Sequence, residues 1–477
     1  MARLKELCAA SQQLEALARS VRERLLTEHL PAVYRDVVGD VSLEDDELRR
    51  LGFAPDILRC FRSGQSENFA YEPSARGFEL VTEHAQCPLH HVRLELPSAP
   101  QSVALGLKSL RDIARHLDPQ IEITVFVPRT ASPAALGRLA QRWASRRASL
   151  RFIPCRTRSL FAQDNAKAGI DGLRCRTLLV PRQLSADARG SLLDAADPLG
   201  DAIGISVKAS RLFWEGGNVL YDGYRCLVGA NTVALNQIRL GLSADEVRRA
   251  LAAEFGAAEL LVLGDENIAR NVLLQQGSDA HGWLDPGRER PREYRIEGGQ
   301  ADFHLDLDVA PLGRLPNGKP AVALADPHAG LRHLPAVHAL EERFAGHFLP
   351  SADMQAVLAA RAEKTAERRR QWLKLYRSQL EEAGYDVLSV PDFRISPSDH
   401  YLDRHNFQFN YVNVVPHGSP ERPRVYLWRY GVRALDDAAC AAYHARGIET
   451  ATLAEETTAN EISRLYGGPH CVVSKLA

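Results

Sequence analysis

Apolar residues fall into two textures along the 477-residue chain. Near the start, Leu4, Leu7, Ala10, Leu14, Leu17, Val21 and Leu25 recur at three- to four-residue intervals, the spacing of one helix face. A second helix is expected from Ser42, with Ser42 and Asp45 in capping-box positions, to Gly52. Residues 1–85 therefore read as a mainly helical segment. From about residue 90 onward, short apolar runs alternate with amphipathic stretches. His91–Leu96, Ile121–Pro128 and Leu150–Pro154 read as strands, and Ala104–Leu117 and Ala134–Ala148 as helices. The alternation continues with Cys226–Gly229, Ser243–Phe255 and Glu259–Leu263, and closes with Tyr411–Pro416, Val425–Trp428, Asp436–Ala445 and Ile448–Leu453. Strand–helix–strand units repeated this often predict an α/β architecture over residues 86–477. Residues 276–300, rich in Gly, Pro and charge, read as an excursion. Ser351–Gly384 reads as one long inserted helix stopped at Gly384, with Arg368, Arg369 and Arg370 on a solvated face.

Composition narrows the classes. Hydrophobic residues make up 45% and charged residues 25%, which suits a globular chain that buries a core. With 59 basic and 60 acidic residues the net charge is −1, so no overall field favours nucleic acid or a membrane surface as partner. Neither a transmembrane run nor a secretory signal is read, and a cytoplasmic location is expected. The cysteines are Cys8, Cys60, Cys87, Cys155, Cys175, Cys226, Cys440 and Cys471, with no CxxC pair, as suits thiols in a reducing compartment. Cys87-Pro-Leu-His90-His91 lacks the second cluster a closed zinc site needs, so neither metal nor cofactor is expected.

Four motifs place a reactive or charged residue beside glycine or in an apolar run. They are Phe161-Ala-Gln-Asp164-Asn165, Trp214-Glu215-Gly216-Gly217-Asn218, Phe303-His304-Leu-Asp306-Leu-Asp308 and Tyr466-Gly467-Gly468-Pro469-His470-Cys471. Singly, each has an ordinary structural reading: a core pair, a bare turn, a small buried thiol. Together and in this order they resemble the guanidino-group modifying superfamily, which includes agmatine, arginine and peptidylarginine deiminases and the amidinotransferases. Gly467-Gly468-Pro-His470-Cys471 looks like the Gly-Gly-x-His-Cys of agmatine deiminase, and Glu215-Gly-Gly-Asn218 is similar to the family's Glu-Gly-Gly-Asp/Asn. Gln163-Asp164 is closer to the peptidylarginine deiminase pattern. The resemblance implies a pentein-like, pseudo-symmetric five-bladed α/β propeller, here with an N-terminal helical extension and the 351–384 insertion.

It also implies a division of labour that the chemistry makes intelligible. A guanidinium is planar, delocalised and charged at pH 7, so holding it takes in-plane carboxylates. The resemblance gives that task to Asp164 and Asp306, with Asn218 and Gly468 lining the substrate site. Cys471 becomes the nucleophile, through a covalent S-amidino intermediate. His304 becomes the acid that protonates the departing nitrogen and then the base that activates water, oriented by Glu215. Asp308 is either a third acidic ligand, sharing a strand face with residues 304 and 306, or a strand end facing solvent. His470 is assigned a packing or supporting role.

The expected reaction is hydrolysis of an arginine-derived or peptidyl-arginine guanidine to a ureido product and ammonia. Amidino transfer to an amine is the near alternative. An acyl-transfer cysteine hydrolase and a non-catalytic guanidinium binder are the distant ones. Arg211, Arg225 and Arg404 are candidates to clamp a substrate carboxylate by sequence proximity alone. The partner is thus a small-molecule or peptidyl guanidine, and the helical segments offer surfaces for a homo-oligomer.

Overall fold

The computed structural model describes residues 71–97, 100–129, 131–132, 135–136, 138, 150–155, 160–182, 200, 202–275, 299–315, 318–337, 352–395, 407–465 and 467–476. The expected N-terminal helices, nearly all of the 276–300 excursion, most of Ala134–Ala148, Arg404 and Tyr466 lie outside these residues.

The strands are β1 (Glu79–Leu80), β2 (His91–Glu95), β3 (Glu122–Pro128), β4 (Leu150–Cys155), β5 (Lys167–Ile170), β6 (Arg176–Val180) and β7 (Ile205–Ala209). There follow β8 (Val219–Tyr221), β9 (Arg225–Gly229), β10 (Glu259–Leu263), β11 (Val309–Arg314), β12 (Pro320–Asp326) and β13 (Asp386–Ile395). The last are β14 (Phe407–Asn410), β15 (Val415–Gly418), β16 (Pro423–Leu427), β17 (Glu449–Thr452) and β18 (Ser474–Leu476). They form five sheets, ordered β1-β5-β6-β7, β10-β9-β8, β11-β12-β13-β14, β15-β16-β17 and β18-β2-β3-β4.

One unit recurs in all five. An antiparallel pair is followed by a parallel neighbour: β5–β6 then β7, β8–β9 then β10, β11–β12 then β13, β15–β16 then β17, and β18–β2 then β3. Parallel neighbours need a crossover, and helices supply it. They include α1 (Pro100–His116) between β2 and β3, and α2 (Ala230–Leu240) with α3 (Ala244–Phe255) between β9 and β10. After α4 (Glu266–Gln275), the next crossover carries α5 (Pro327–Leu331) and α6 (Ala352–Glu382), and α7 (Arg433–His444) joins β16 to β17. β3 is covered on both faces and reads as a continuous apolar run, with Ile123, Val125, Phe126 and Val127 fully buried. Local chemistry sets the helix ends: in α3, Ser243 and Glu246 form a reciprocal capping box, and Gly256 closes the helix at φ 62°.

Two segments depart from the expected pattern. Tyr411–Pro416 is not one strand. The Asn410 side-chain Oδ1 accepts the amides of Val412 at 2.9 Å and Asn413 at 3.0 Å, and this local turn ends β14 before β15 can start. Residues 304–308 are likewise not a strand. Leu305–Leu307 is a 3-10 turn whose first amide donates to Asn218 Oδ1 at 3.1 Å.

The long helix α6 has an apolar stripe, including Trp372, Leu373, Tyr376 and Leu380, in the main core. The arginine run expected to be solvated is divided: Arg370 is exposed and pairs with Glu367, but Arg369 is 1% exposed. Its guanidinium is clamped by Asp308 and Asp392, and Arg394 links Asp308, Asp392 and Asp302. The helical period explains the split, because position 369 falls on the stripe of Ala362, Ala366 and Leu373. Arg369→Met leaves two buried carboxylates short of a partner and is expected to destabilise the chain by about 3–5 kcal/mol. Arg370→Met is expected to cost roughly 0–1 kcal/mol, and urea unfolding of the two variants makes the comparison.

Candidate active site

The recurring unit explains where the chemistry gathers. Just ahead of the inner antiparallel strand of each unit lies a short turn. Ala162–Asn165 precedes β5, Gly216–Asn218 precedes β8 and Leu305–Leu307 precedes β11. Residues 411–414 precede β15, and the one-turn helix Pro469–Val472 precedes β18. All four sequence motifs sit on these turns.

The turns touch, and glycine permits it. A Cβ on Gly216 would lie 1.8 Å from the Gln163 carbonyl oxygen, one on Gly217 2.6 Å from His304 Nδ1, and one on Gly468 2.3 Å from Asn413 Oδ1. No side chain fits at such distances. The backbone needs closeness, not merely a bend, at these positions.

His304 Nε2 is 2.6 Å from Glu215 Oε2, and Nδ1 faces Asp164 Oδ1 at 3.6 Å, beyond hydrogen-bond reach. Burial disfavours the His304 imidazolium, but Asp164 and Glu215 outweigh it and raise the group to about 10, so the ring is charged at neutral pH. Asp164 is raised to about 7, first by burial, with His304 pulling it down and Glu215 and Asp306 pushing it up. Burial, then Asp306 and Asp164, pushes the Cys471 thiol well above its ordinary range, against the smaller help of the Gly468 and Asn413 hydrogen bonds. The resting thiol is protonated. Buried oxygens of both aspartates, Asp164 Oδ1 and Asp306 Oδ1, have no hydrogen-bond partner. Asp164 Oδ1 faces the His304 ring, both aspartates lie close enough to raise the Cys471 thiol, and each keeps one buried oxygen without a donor.

Each reactive residue is braced. Arg93 of β2 donates to the Ala162 carbonyl and sits 3.5 Å from Glu95, whose two oxygens take Asn165 Nδ2 at 3.2 Å. Asn413 was not singled out from the sequence. Its Oδ1 accepts the amides of His470 at 2.9 Å and Cys471 at 3.3 Å, while its Nδ2 donates to the Asp306 carbonyl at 3.2 Å. The available signal was an asparagine in an otherwise apolar Tyr411-Val-Asn413-Val-Val run.

Of the residues expected at the site, the structure brings Cys471, His304, Glu215, Asp164 and Asp306 together. Asn218 is spent elsewhere: its amide donates to the Phe303 carbonyl at 2.9 Å, and its oxygen takes Gln300 at 3.0 Å and the Leu305 amide, so it holds the turn instead of facing a ligand. Gly468 supplies clearance. Asp308 is fully buried with Arg369 and Arg394, because the 3-10 turn rotates it off the face that carries Asp306. Neither a third acidic ligand nor a solvent-facing strand end describes it. Arg225 pairs with Glu259 and bonds the Ala383 carbonyl, and is committed there.

No protein-family model matches the sequence, and no curated protein does. Solved structures do match in three dimensions. A candidate agmatine deiminase is similar at TM-score 0.52 and 12% identity, over 84% of this chain and 96% of that one. A candidate arginine deiminase from Porphyromonas gingivalis gives 0.50 and 13% over 83% and 98%, and a candidate peptidyl-arginine deiminase 0.50 and 12% over 84% and 98%. The chain shares its fold with these candidate deiminase structures. On this deiminase-type fold, no helix among the described residues is long and apolar enough to cross a membrane.

Two outcomes follow from the charges. Asp306→Asn removes the first carboxylate that raises the thiol, so iodoacetamide should label Cys471 faster at pH 8 in the variant than in the wild type. His304 and His470 are raised to about 10 and about 9, so the stability they add is fully present below the unfolded value near 6.5 and is lost as pH climbs through 9 to 10. Urea midpoints across that window should fall, and His304→Gln should flatten the decline.

Proposed function

We propose that the protein is a cysteine-dependent hydrolase of guanidinium groups, acting on an arginine-derived or peptidyl-arginine substrate and releasing ammonia and a ureido product. The observation that carries this reading is the pair of unpartnered, buried aspartate oxygens, Asp164 Oδ1 and Asp306 Oδ1, beside a protonated thiol. A guanidinium supplies N–H donors in one plane and the positive charge the site lacks.

The chemistry then runs in two halves. The bound cation offsets the carboxylates around Cys471, so the thiol releases its proton to solvent, where the departing ammonia later takes one up, and the thiolate adds to the central guanidinium carbon. His304, charged at rest, donates its proton to the departing nitrogen, ammonia leaves, and an S-amidino adduct remains on Cys471. His304 is now neutral and takes a proton from water as the oxygen attacks the same carbon. Collapse expels the thiolate and releases the ureido product. Glu215 holds the ring through both transfers, which typically contribute about 10²–10⁴ in rate.

In this reading the five units are blades of a pseudo-symmetric propeller that meet at the reactive turns. Residues 86–477 make the catalytic domain, and β1, just ahead of them in the chain, is added to its β5–β6–β7 sheet. The same carboxylates argue against acyl transfer, whose intermediate carries an oxyanion that Asp164 and Asp306 would repel.

Purified protein incubated with arginine, agmatine and an arginine-containing peptide is expected to form ammonia and ureido product from at least one of them. Cys471→Ala should abolish turnover, and His304→Gln should lower kcat by about 10²–10⁴. An amidino adduct on Cys471 that awaits an added amine would reassign the protein to amidino transfer. Absence of both product and adduct with all three guanidines would overturn the reading.

A further inference from the structure

Behind the reactive turns lies a row of buried charged groups that the steps above do not use. Lys167, the first residue of β5, places Nζ 3.0 Å and 2.8 Å from the two oxygens of Glu83, both side chains being nearly inaccessible. Gln163 Nε2 donates to Glu83 Oε1 at 3.2 Å and lies 3.3 Å from His470 Nε2. Glu83 Oε1 is itself 3.7 Å from that nitrogen. On the other side of the ring, His470 Nδ1 is 2.7 Å from Asp306 Oδ2. The row ends at Asp306 Oδ1, which has no partner.

We infer that Glu83, Lys167 and His470 form a buried brace that ties one oxygen of Asp306 and leaves the other free for a substrate guanidinium, making His470 a positioning residue for the reaction. This rests on the guanidine-hydrolase reading of the same site. The geometry gives the reason. A carboxylate with two free oxygens can rotate and accept in several planes, whereas one held at Oδ2 by a ring N–H presents Oδ1 in a fixed plane. His470 is also set from its other side, since its amide and that of Cys471 share Asn413 Oδ1. Brace and nucleophile therefore move together.

Charge is part of the device. The groups facing His470 are Asp306 from the Leu305–Leu307 turn, Glu83 from the segment after β1, and Lys167 from β5 across Glu83. Cys471 adjoins it on its own helix. Burial works against the imidazolium, but the hydrogen bond to Asp306 and the nearby Glu83 carboxylate raise it to about 9. Burial works against the Glu83 carboxylate, and Lys167 with His470 draws it down to about 2. Asp306 and, behind the ring, Glu83 together keep His470 charged, and the charged ring offsets Asp306 where two aspartates already crowd one thiol.

The test reads the ring directly. In protein labelled with 15N-histidine, the His470 ring signal, assigned by its loss in His470→Gln, is expected to stay doubly protonated to about pH 9. In Glu83→Gln it should turn neutral at least one pH unit lower. Turnover of the guanidine substrate should lose the alkaline end of its pH profile in that variant, with kcat/KM about tenfold down at pH 8 and little changed at pH 6. A ring that is neutral at pH 7 in the wild type overturns the brace. So does a Glu83→Gln variant with an unmoved ring and an unmoved profile, which would leave the row a purely structural pair. If the wild type turns over no guanidine, the functional reading fails separately, and the ring titration alone decides the brace.

Discussion

The structure depends on a concentration of negative charge next to a buried thiol. Asp164, Asp306 and Glu215 come from three turns to the neighbourhood of Cys471, which comes from another, and burial withholds most of the water that would screen them. Two protein cations reduce the strain, His304 on Glu215 and His470 between Asp306 and Glu83. They leave two carboxylate oxygens without donors. In the proposed reading, a planar cation completes this arrangement and the reactive thiolate forms only once that cation is bound.

The fold makes such a concentration possible by repetition. Each of the five sheets offers the turn before its inner strand, so five unrelated stretches of chain reach one place without any of them forming a long loop. Glycine at 216, 217 and 468 lets the turns approach to contact. The outer framework carries its own buried charges in a separate knot, where Arg369 of α6 and Arg394 of β13 satisfy Asp302, Asp308 and Asp392. That knot sits directly behind the His304–Asp306 turn, and Arg394 also bonds the Leu307 carbonyl. The long helix α6 is in this sense a strut of the site.

Much of this was legible in the chain. A parallel strand buried on both faces, such as Glu122–Pro128, announces itself as an apolar run, and amphipathic helices such as Ala244–Phe255 by their period and caps. The reactive residues were legible through the joint resemblance of four motifs in order, since singly each Gly-Gly reads as a bare turn. What was not legible depended on partners distant in sequence. A His-x-Asp-x-Asp run looks like a strand until Asn218 takes the Leu305 amide and winds it into a 3-10 turn, which sends Asp306 and Asp308 to different surroundings. Asn413 and Arg369 look like ordinary polar residues until the fold sets one behind the thiol and the other between two buried aspartates. A side chain's own local pattern carries no information about such distant partners.

The most direct test of the central claim is a crystal structure of Cys471→Ser soaked with a guanidinium ligand, arginine, agmatine or an arginine peptide. The account predicts the planar group at the meeting of the turns, with its nitrogens about 2.7–3.0 Å from Asp164 Oδ1 and Asp306 Oδ1 and its central carbon facing residue 471. A guanidinium bound elsewhere, or those two oxygens still without a donor in crystals saturated with all three ligands, would contradict it.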